Sequence, residues 1–251
     1  IRLCHVNEES CHINGKGSNL LVSDQGIPGV VVEIGKPMSE IRTEGNRIIA
    51  QAGAMMSAIA ARAAEHALTG FEFASGIPGT IGGAAVMNAG AYGGELKDVL
   101  VSVKVLDCEG TLLELSADEL ELSYRHSIIP EKNYTVVEVC LELTPGTEEA
   151  IRGRMDELKE QRVSKQPLEY PSAGSTFKRP EGYFAGKLIQ DAGLRGYTVG
   201  GAQVSEKHCG FVINRGGATS TDIITLIRDV QKKVKEDAGV DLETEVKLIG
   251  F

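Results

Sequence analysis

The chain has no tryptophan, only 5% aromatic residues and neither of the two commonest nucleotide-binding signatures. No G-x-G-x-x-G occurs, so the usual Rossmann dinucleotide turn is absent. The nearest approach to a P-loop runs from Gly182 to Lys187 and continues with Leu188. It lacks both the spacing and the hydroxyl, which argues against a P-loop kinase or ATPase. Apolar runs long enough to span a bilayer are missing, and no signal peptide opens the chain. Basic runs are missing too, and the net charge of −9 argues against a nucleic-acid binder. The five cysteines, Cys4, Cys11, Cys108, Cys140 and Cys209, form no framework and suit a reducing cytoplasm. Cys4-His5 and Cys11-His12 hold four potential ligands without the spacing of a structural zinc site, so no metal is expected. The first residue is Ile1 rather than Met, and an incomplete start is expected.

What the chain does have is glycine. The segment Gly76–Gly94, GIPGTIGGAAVMNAGAYGG, places seven glycines in nineteen residues around Thr80 and Asn88. Without a Cβ, such a backbone lets a bulky anion lie directly on peptide N–H groups. An upstream echo, Gly15-Lys-Gly-Ser-Asn19, leads into the apolar run Leu20–Val22. Two such turns beside hydrophobic segments point to two loops closing on one phosphate-bearing ligand. Tight turns and close packing are the competing explanation. A side chain at Gly82 or Gly83 should block the approach of the ligand.

The 251 residues, 42% hydrophobic and 24% charged, are enough for two lobes with proper cores. Residues 29–34 and 47–51 read as strands, and Met55–Leu68 as an alanine-rich helix ending at Gly70. Val99–Leu106 and Thr111–Leu115 form a hairpin about Asp107–Gly110, and Thr135–Leu143 alternates as another strand. Thr144-Pro-Gly-Thr147 marks a boundary. Beyond it come a helix near Glu148–Val163, a polar loop over Lys165–Gly174, and a capping box at Thr219–Asp222. That box opens a helix with Ile223, Ile227, Val230 and Val234 on one face, stopped by Gly239. A last strand, Leu242–Phe251, sets Val246 and Leu248 against Glu245 and Lys247. The fold class is α+β. Residues 1–145 are expected to form the first domain, 146–238 a second lobe, and 239–251 a strand returning to the active-site interface.

Three polar spots could do chemistry. Tyr124-Arg125-His126-Ser127 offers a guanidinium that can grip a planar anion bidentately. Pro171–Lys178 sets Ser175 between Gly174 and Thr176. No G-x-S-x-G elbow or evident base serves Ser175, so it suits proton or hydrogen-bond donation better than attack on a carbonyl. Glu245 lies mid-strand near the end of the chain. Taken singly, each has a plainer explanation as a salt bridge, a turn or a solvated strand face.

GKGSNLLVSD at 15–24, ASGIPGTIGGAAVMNAGAYG at 74–93, YRHS at 124–127, PSAGSTFKRP at 171–180, AGKLIQDAGLRGYTVGGAQVSEKH at 185–208 and LETEVKLIG at 242–250 occur in order along nearly the whole chain. Together they resemble the UDP-N-acetylenolpyruvoylglucosamine reductase family, the flavoenzymes of bacterial peptidoglycan precursor synthesis and hence of cell-wall biogenesis. The resemblance implies a vanillyl-alcohol-oxidase-type FAD-binding domain with a separate α+β substrate-binding lobe. It implies non-covalent FAD, NADPH as hydride donor, and a UDP-sugar substrate. The expected enzyme is a cytoplasmic monomer with no nucleic-acid partner and no membrane insertion. NADPH would reduce the flavin and leave. Hydride would then pass from flavin N5 to C3 of the enolpyruvyl group, and a proton to C2.

By motif match, the resemblance implies Ser175 as proton donor, with Arg125 and Glu245 stabilising the enolate-like intermediate. Glu243, two residues earlier, is the competing carboxylate; only the family match favours Glu245. The implied cofactor residues are Gly15, Gly17, Ser18, Asn19, Gly76, Ile77, Pro78, Gly79, Thr80, Gly82, Gly83, Asn88 and Gly90. The implied substrate residues are Tyr124, Arg162, Lys165, Lys178, Arg195, Lys207 and His208. Only four residues separate Lys178-Arg-Pro180 from Ala185-Gly-Lys187, as in the short-loop (type II) branch, so no tyrosine lid is assigned. Only fourteen residues precede Gly15, where family members carry a sizeable FAD-binding segment. Two alternatives stay open: another FAD-dependent oxidoreductase of the same fold, or an inactive nucleotide-binding fragment.

Overall fold

A computed structural model describes residues 1–251. Its largest sheet is built from β1 (Ile41–Glu44), β2 (Arg47–Gln51), β3 (Leu100–Leu106), β4 (Leu112–Ser116) and β5 (Thr135–Glu142). These run in the order β4-β3-β5-β2-β1, every neighbouring pair antiparallel. Asp107 turns β3 into β4, its Oδ1 accepting from the N–H groups of Glu109 and Thr111 at 2.9 and 2.8 Å. Ile48 and Ala50 of β2, and Val139 and Leu141 of β5, are wholly buried in one core. Alternating apolar residues on a pleated strand produce this one-sided burial.

Helix α1 (Met56–Glu65) closes that core with Met56, Ile59, Ala60 and Ala63, spaced to lie on one face. It ends before the expected Leu68. Ala67 adopts φ 53°, and Leu68–Thr69 pairs antiparallel with Thr144–Pro145. Helix α2 (Ile81–Val86) follows the glycine-rich turn. Helix α3 (Glu148–Lys165) buries only Ile151 and Leu158, consistent with its largely polar sequence.

The chain divides into two compact units, residues 1–17 with 29–162, and residues 18–28 with 163–251. The division thus falls near the end of α3, past the Thr144–Thr147 punctuation, and an early segment joins the second unit.

In the second unit, Thr198–Val199, Ala202–Val204 and Val212–Asn214 form an antiparallel sheet. Lys247–Ile249 runs parallel to Leu20–Val22. Helices α4 (Ala185–Asp191) and α5 (Ser220–Ala238) contribute Ile189, Leu226, Ile227, Val230 and Val234 to the second core. The α5 capping box is reciprocal: Asp222 N–H donates to Thr219 Oγ1, and Thr219 N–H to Asp222 Oδ2, both at 3.0 Å. Asp24 adds a second cap, accepting the Ser220 N–H on both carboxylate oxygens, at 3.0 and 2.9 Å. Gly239 ends the helix in the left-handed conformation, φ 71°. The last strand is shorter than the expected Leu242–Phe251: only Lys247–Ile249 is strand, so Glu245 precedes it rather than lying mid-strand, and Val246 is buried whereas Leu248 is 43% exposed.

Candidate active site

The two glycine turns meet within the first unit. Gly15 lies so close to Thr80 that a Cβ on Gly15 would collide with Thr80 Oγ1. Both residues line one cavity of about 610 Å³, with Gly82, Gly83, Asn14 and Tyr134 on its wall. That volume falls in the range of small-molecule sites. Gly83 is exposed, and a Cβ there would meet nothing nearer than Thr80 Oγ1 at 3.7 Å. Thr80 Oγ1 is itself buried without a hydrogen-bond partner. A buried hydroxyl left unpaired costs free energy unless something else satisfies it. An open glycine backbone beside an orphaned hydroxyl fits a polar, phosphate-bearing cofactor such as FAD.

Other glycines of this segment serve packing. A Cβ on Gly82 would stand 2.8 Å from Ala52 Cβ and 3.0 Å from Ala52 O, so this glycine lets α2 press against the chain just after β2. A Cβ on Gly94 would come within 2.7 Å of the Phe73 ring, and one on Gly90 would meet Gly94 O at 2.5 Å. Gly76 packs beside Arg162, and Gly79 O accepts from Met56 N–H at 3.0 Å. Asn88 is fully buried at φ 44°. Its Nδ2 donates to Glu95 Oε2 and Ser123 O, both at 2.9 Å, and its Oδ1 accepts from Lys97 N–H at 2.9 Å. The amide is thereby engaged within the protein. Ile77, Pro78 and Gly17 lie outside the cavity lining, while Ser18 and Asn19 belong to the second unit. Tyr134 and Asn14 carry no local motif, and the sequence does not mark them: Asn14 ends the strand Cys11–Asn14, which runs parallel to Val30–Glu33, and Tyr134 directly precedes β5, its N–H donating to Ile129 O at 3.0 Å.

Arg125 sits at φ 56° and donates from Nη2 to Gly90 O at 3.1 Å, with its guanidinium 5.0 Å from the Tyr124 ring centroid. Arg125 therefore belongs to the Gly90–Glu95 hairpin region, and its charge helps hold the Glu95 carboxyl below its ordinary value. The larger opposing influence there is burial, which the Lys97 and Asn88 hydrogen bonds outweigh. Arg162 is half-buried, and no carboxylate neutralises it. Burial pulls its guanidinium below the ordinary value, the expected response of a cation removed from water.

Ser175 and Glu245 come together in the second unit. Ser175 bridges Phe211 on one side, and Phe177 bridges Thr244 on the other. Glu245 N–H donates to Thr176 O at 2.9 Å, so Glu245 stands opposite the residue next to Ser175. Both are half-buried. Thr176 Oγ1 accepts from Val212 N–H at 2.9 Å, which helps fix this short extended segment between its two isolated bridges. Glu243, by contrast, is exposed and paired with Lys178 at 3.0 Å.

The remaining candidates are held mainly by local bonds. Arg195 donates to Glu206 O and to Gln190 Oε1. Lys207 Nζ donates to Val163 O at 2.7 Å. His208 Nδ1 accepts from Gly210 N–H at 3.0 Å, so Nε2 carries the proton of the neutral ring. Burial lowers its affinity for a second proton. Lys165 is exposed at the end of α3. No group of three or more His, Cys, Asp or Glu side chains is arranged to hold a metal.

The glycine-lined cavity beside an antiparallel sheet, with no Rossmann turn, fits an FAD-binding domain of the vanillyl-alcohol-oxidase type. Residues 1–116 match the FAD binding domain family, and residues 166–249 match the C-terminal domain of UDP-N-acetylenolpyruvoylglucosamine reductase. The reductase of that name from Agathobacter rectalis is 61% identical over 248 residues, covering 94% of this chain and 79% of the relative. That from Caldanaerobacter subterraneus subsp. tengcongensis is 57% identical over 238 residues, 95% of this chain and 78% of the relative. The crystal structure of the Thermus caldophilus reductase superposes with a TM-score of 0.86 at 35% identity, covering 99% of this chain and 90% of that one. The chain belongs to the UDP-N-acetylenolpyruvoylglucosamine reductase family.

Proposed function

We propose that this chain is the NADPH-dependent flavoenzyme that reduces UDP-N-acetylglucosamine enolpyruvate to UDP-N-acetylmuramate, a step of peptidoglycan precursor synthesis. The observation that carries the reading is the 61% identity to a reductase over 94% of the chain. When bound, FAD supplies the hydride route from NADPH to C3 of the enolpyruvyl group. The protein's own residues do the rest. Ser175, whose backbone bridges Phe211 while the next two residues pair with Glu245 and Thr244, presents its hydroxyl to C2 as proton donor. Arg125, a permanent cation, stabilises charge that builds on the substrate carboxylate only as the enolate forms, which lowers the barrier selectively. Glu245, when protonated, donates a hydrogen bond to the same developing charge.

Gly15, Thr80 and Gly83 hold the cofactor's polar backbone, since all three line the cavity. Arg162 binds a substrate anion, for a half-buried guanidinium without a carboxylate neighbour is suited to a ligand's phosphate or carboxylate. Tyr124, Lys165, Lys178, Arg195, Lys207 and His208 complete the substrate set. No helix is long and apolar enough to cross a membrane. Our reading includes a cytoplasmic monomer acting on small molecules.

An anaerobic titration tests the proposal. NADPH should bleach the flavin of the FAD-loaded protein, and the enolpyruvyl sugar nucleotide should restore its colour. Acid precipitation should then leave the flavin in the supernatant. Flavin that stays bleached after substrate addition would reject the assignment.

A further inference from the structure

The peptide of Glu245 is held from both sides. Its N–H donates to Thr176 O at 2.9 Å, tying it to the segment that carries Ser175. Its C=O accepts from Asn19 Nδ2 at 3.1 Å, a contact between residues 226 apart in sequence. Lys247 N–H donates to Asn19 O at 2.9 Å, and Leu20–Val22 then continues in parallel register with Lys247–Ile249. Glu245 therefore lies where one ladder ends and the next begins. On the side of the glycine turn, the Asn19 carboxamide takes the place of a ladder N–H. The family resemblance implies Asn19 in the cofactor set, yet its Nδ2 is directed at the acid's own peptide.

We propose that Asn19 is a positioning residue for Glu245, its carboxamide fixing the peptide plane from which the acid side chain projects. The proposal rests on the reductase reading above, in which Glu245 acts on the enolpyruvyl substrate. A lost donor would take this hydrogen bond from the Glu245 carbonyl and let the acid drift. Ångström-scale misplacement of a catalytic group can cost about 100-fold in rate.

The test is Asn19→Asp, which keeps the side-chain shape and puts an acceptor where the donor was. Asn19→Ala carries the same expectation without adding charge. With FAD saturating, stopped-flow spectra should show reoxidation by the enolpyruvyl sugar nucleotide falling about 10- to 100-fold more than reduction by NADPH. In flavin-free protein, amide exchange in the peptide 242–250 should quicken. The rate losses of Asn19→Asp and Glu245→Gln should fail to add in the double variant, as for groups acting through one contact. Equal slowing of both half-reactions, or neither slowed, would overturn the proposal, as would strictly additive losses. If wild-type reduced flavin is never reoxidised by substrate, the reductase reading is what has failed. The exchange measurement then still decides whether Asn19 holds Glu245: wild-type exchange in both variants refutes the contact.

Discussion

Valine at Gly82 and valine at Gly83 should damage different properties, although the two glycines are adjacent. Neither occupies the left-handed region, so a side chain meets no backbone penalty at either site. At Gly82 a Cβ stands 2.8 Å from Ala52 Cβ and 3.0 Å from Ala52 O, one of these atoms being backbone that cannot easily yield. Overpacking of this kind costs about 1–3 kcal/mol. For a chain of this size, each kcal/mol lowers Tm by about 2–4 °C, so Gly82→Val should lose about 2–12 °C. At Gly83 the nearest atom to a Cβ is 3.7 Å away and the remaining space is the cavity. Gly83→Val should therefore keep its fold and fill part of the cofactor's place. A tenfold loss of FAD affinity corresponds to about 1.4 kcal/mol, and we expect at least that. Scanning calorimetry of the flavin-free proteins reads the first effect, and fluorescence titration with FAD the second. Wild-type FAD affinity in Gly83→Val would refute the placement of the cofactor; an unshifted Tm in Gly82→Val would refute the packing argument.

Ser175→Ala should leave flavin reduction by NADPH intact while slowing reoxidation by substrate about 10²–10⁴-fold, because proton donation belongs only to the second half-reaction. Reoxidation at the wild-type rate would exclude Ser175 as donor. Thr80→Val removes a buried hydroxyl with no partner in the protein, so the flavin-free protein should be as stable as wild type or more so. Its FAD affinity should fall by up to about tenfold, the worth of one hydrogen bond, and an unchanged titration would show that the hydroxyl does not face the cofactor. His208 has its affinity for a proton lowered chiefly by burial. The unfolded chain therefore takes up that proton first as pH falls, and stability drops through and below the ordinary histidine range, about pH 6.5. Urea titrations at a series of pH values should show this slope flattened in His208→Gln, and an identical slope would clear His208 of the effect.

Local chemistry that closes on itself was legible in the sequence. The Thr219–Asp222 box, the Asp107 turn and the Gly239 stop each involve partners a few residues apart, and each forms. The pairing of the two glycine turns was legible because both carried the same unusual composition. What each glycine is for was not. Gly82 answers to Ala52 and Gly94 to Phe73, and nothing adjacent in sequence marks those partners. The end of α1 is hidden for a similar reason: Leu68 continues the apolar pattern, but Thr144–Pro145 claims Leu68–Thr69 for a strand pair. In the last strand, alternation put Leu248 with Val246, whereas the pairing with Leu20–Val22 leaves Leu248 exposed. Glu245 could be separated from Glu243 only by family likeness; the geometry adds that Glu243 is taken up by Lys178 at the surface.

The excursion of residues 18–28 into the second unit means that neither unit is a continuous stretch of chain, which crosses from one to the other at 17/18, 28/29 and 162/163. A fragment cut at residue 163 would keep most of the second core yet lose the strand beside Lys247–Ile249 and the Asp24 cap on α5. The order of assembly is constrained as well. The second unit can finish only by closing a loop nearly as long as the whole protein, the 226-residue separation between Asn19 and Glu245. Because closure entropy grows only logarithmically with length, that detour is a small burden on stability. Its weight falls on kinetics, since contacts this distant in sequence slow folding. The Ser175 and Glu245 segments would then be among the last parts to lock.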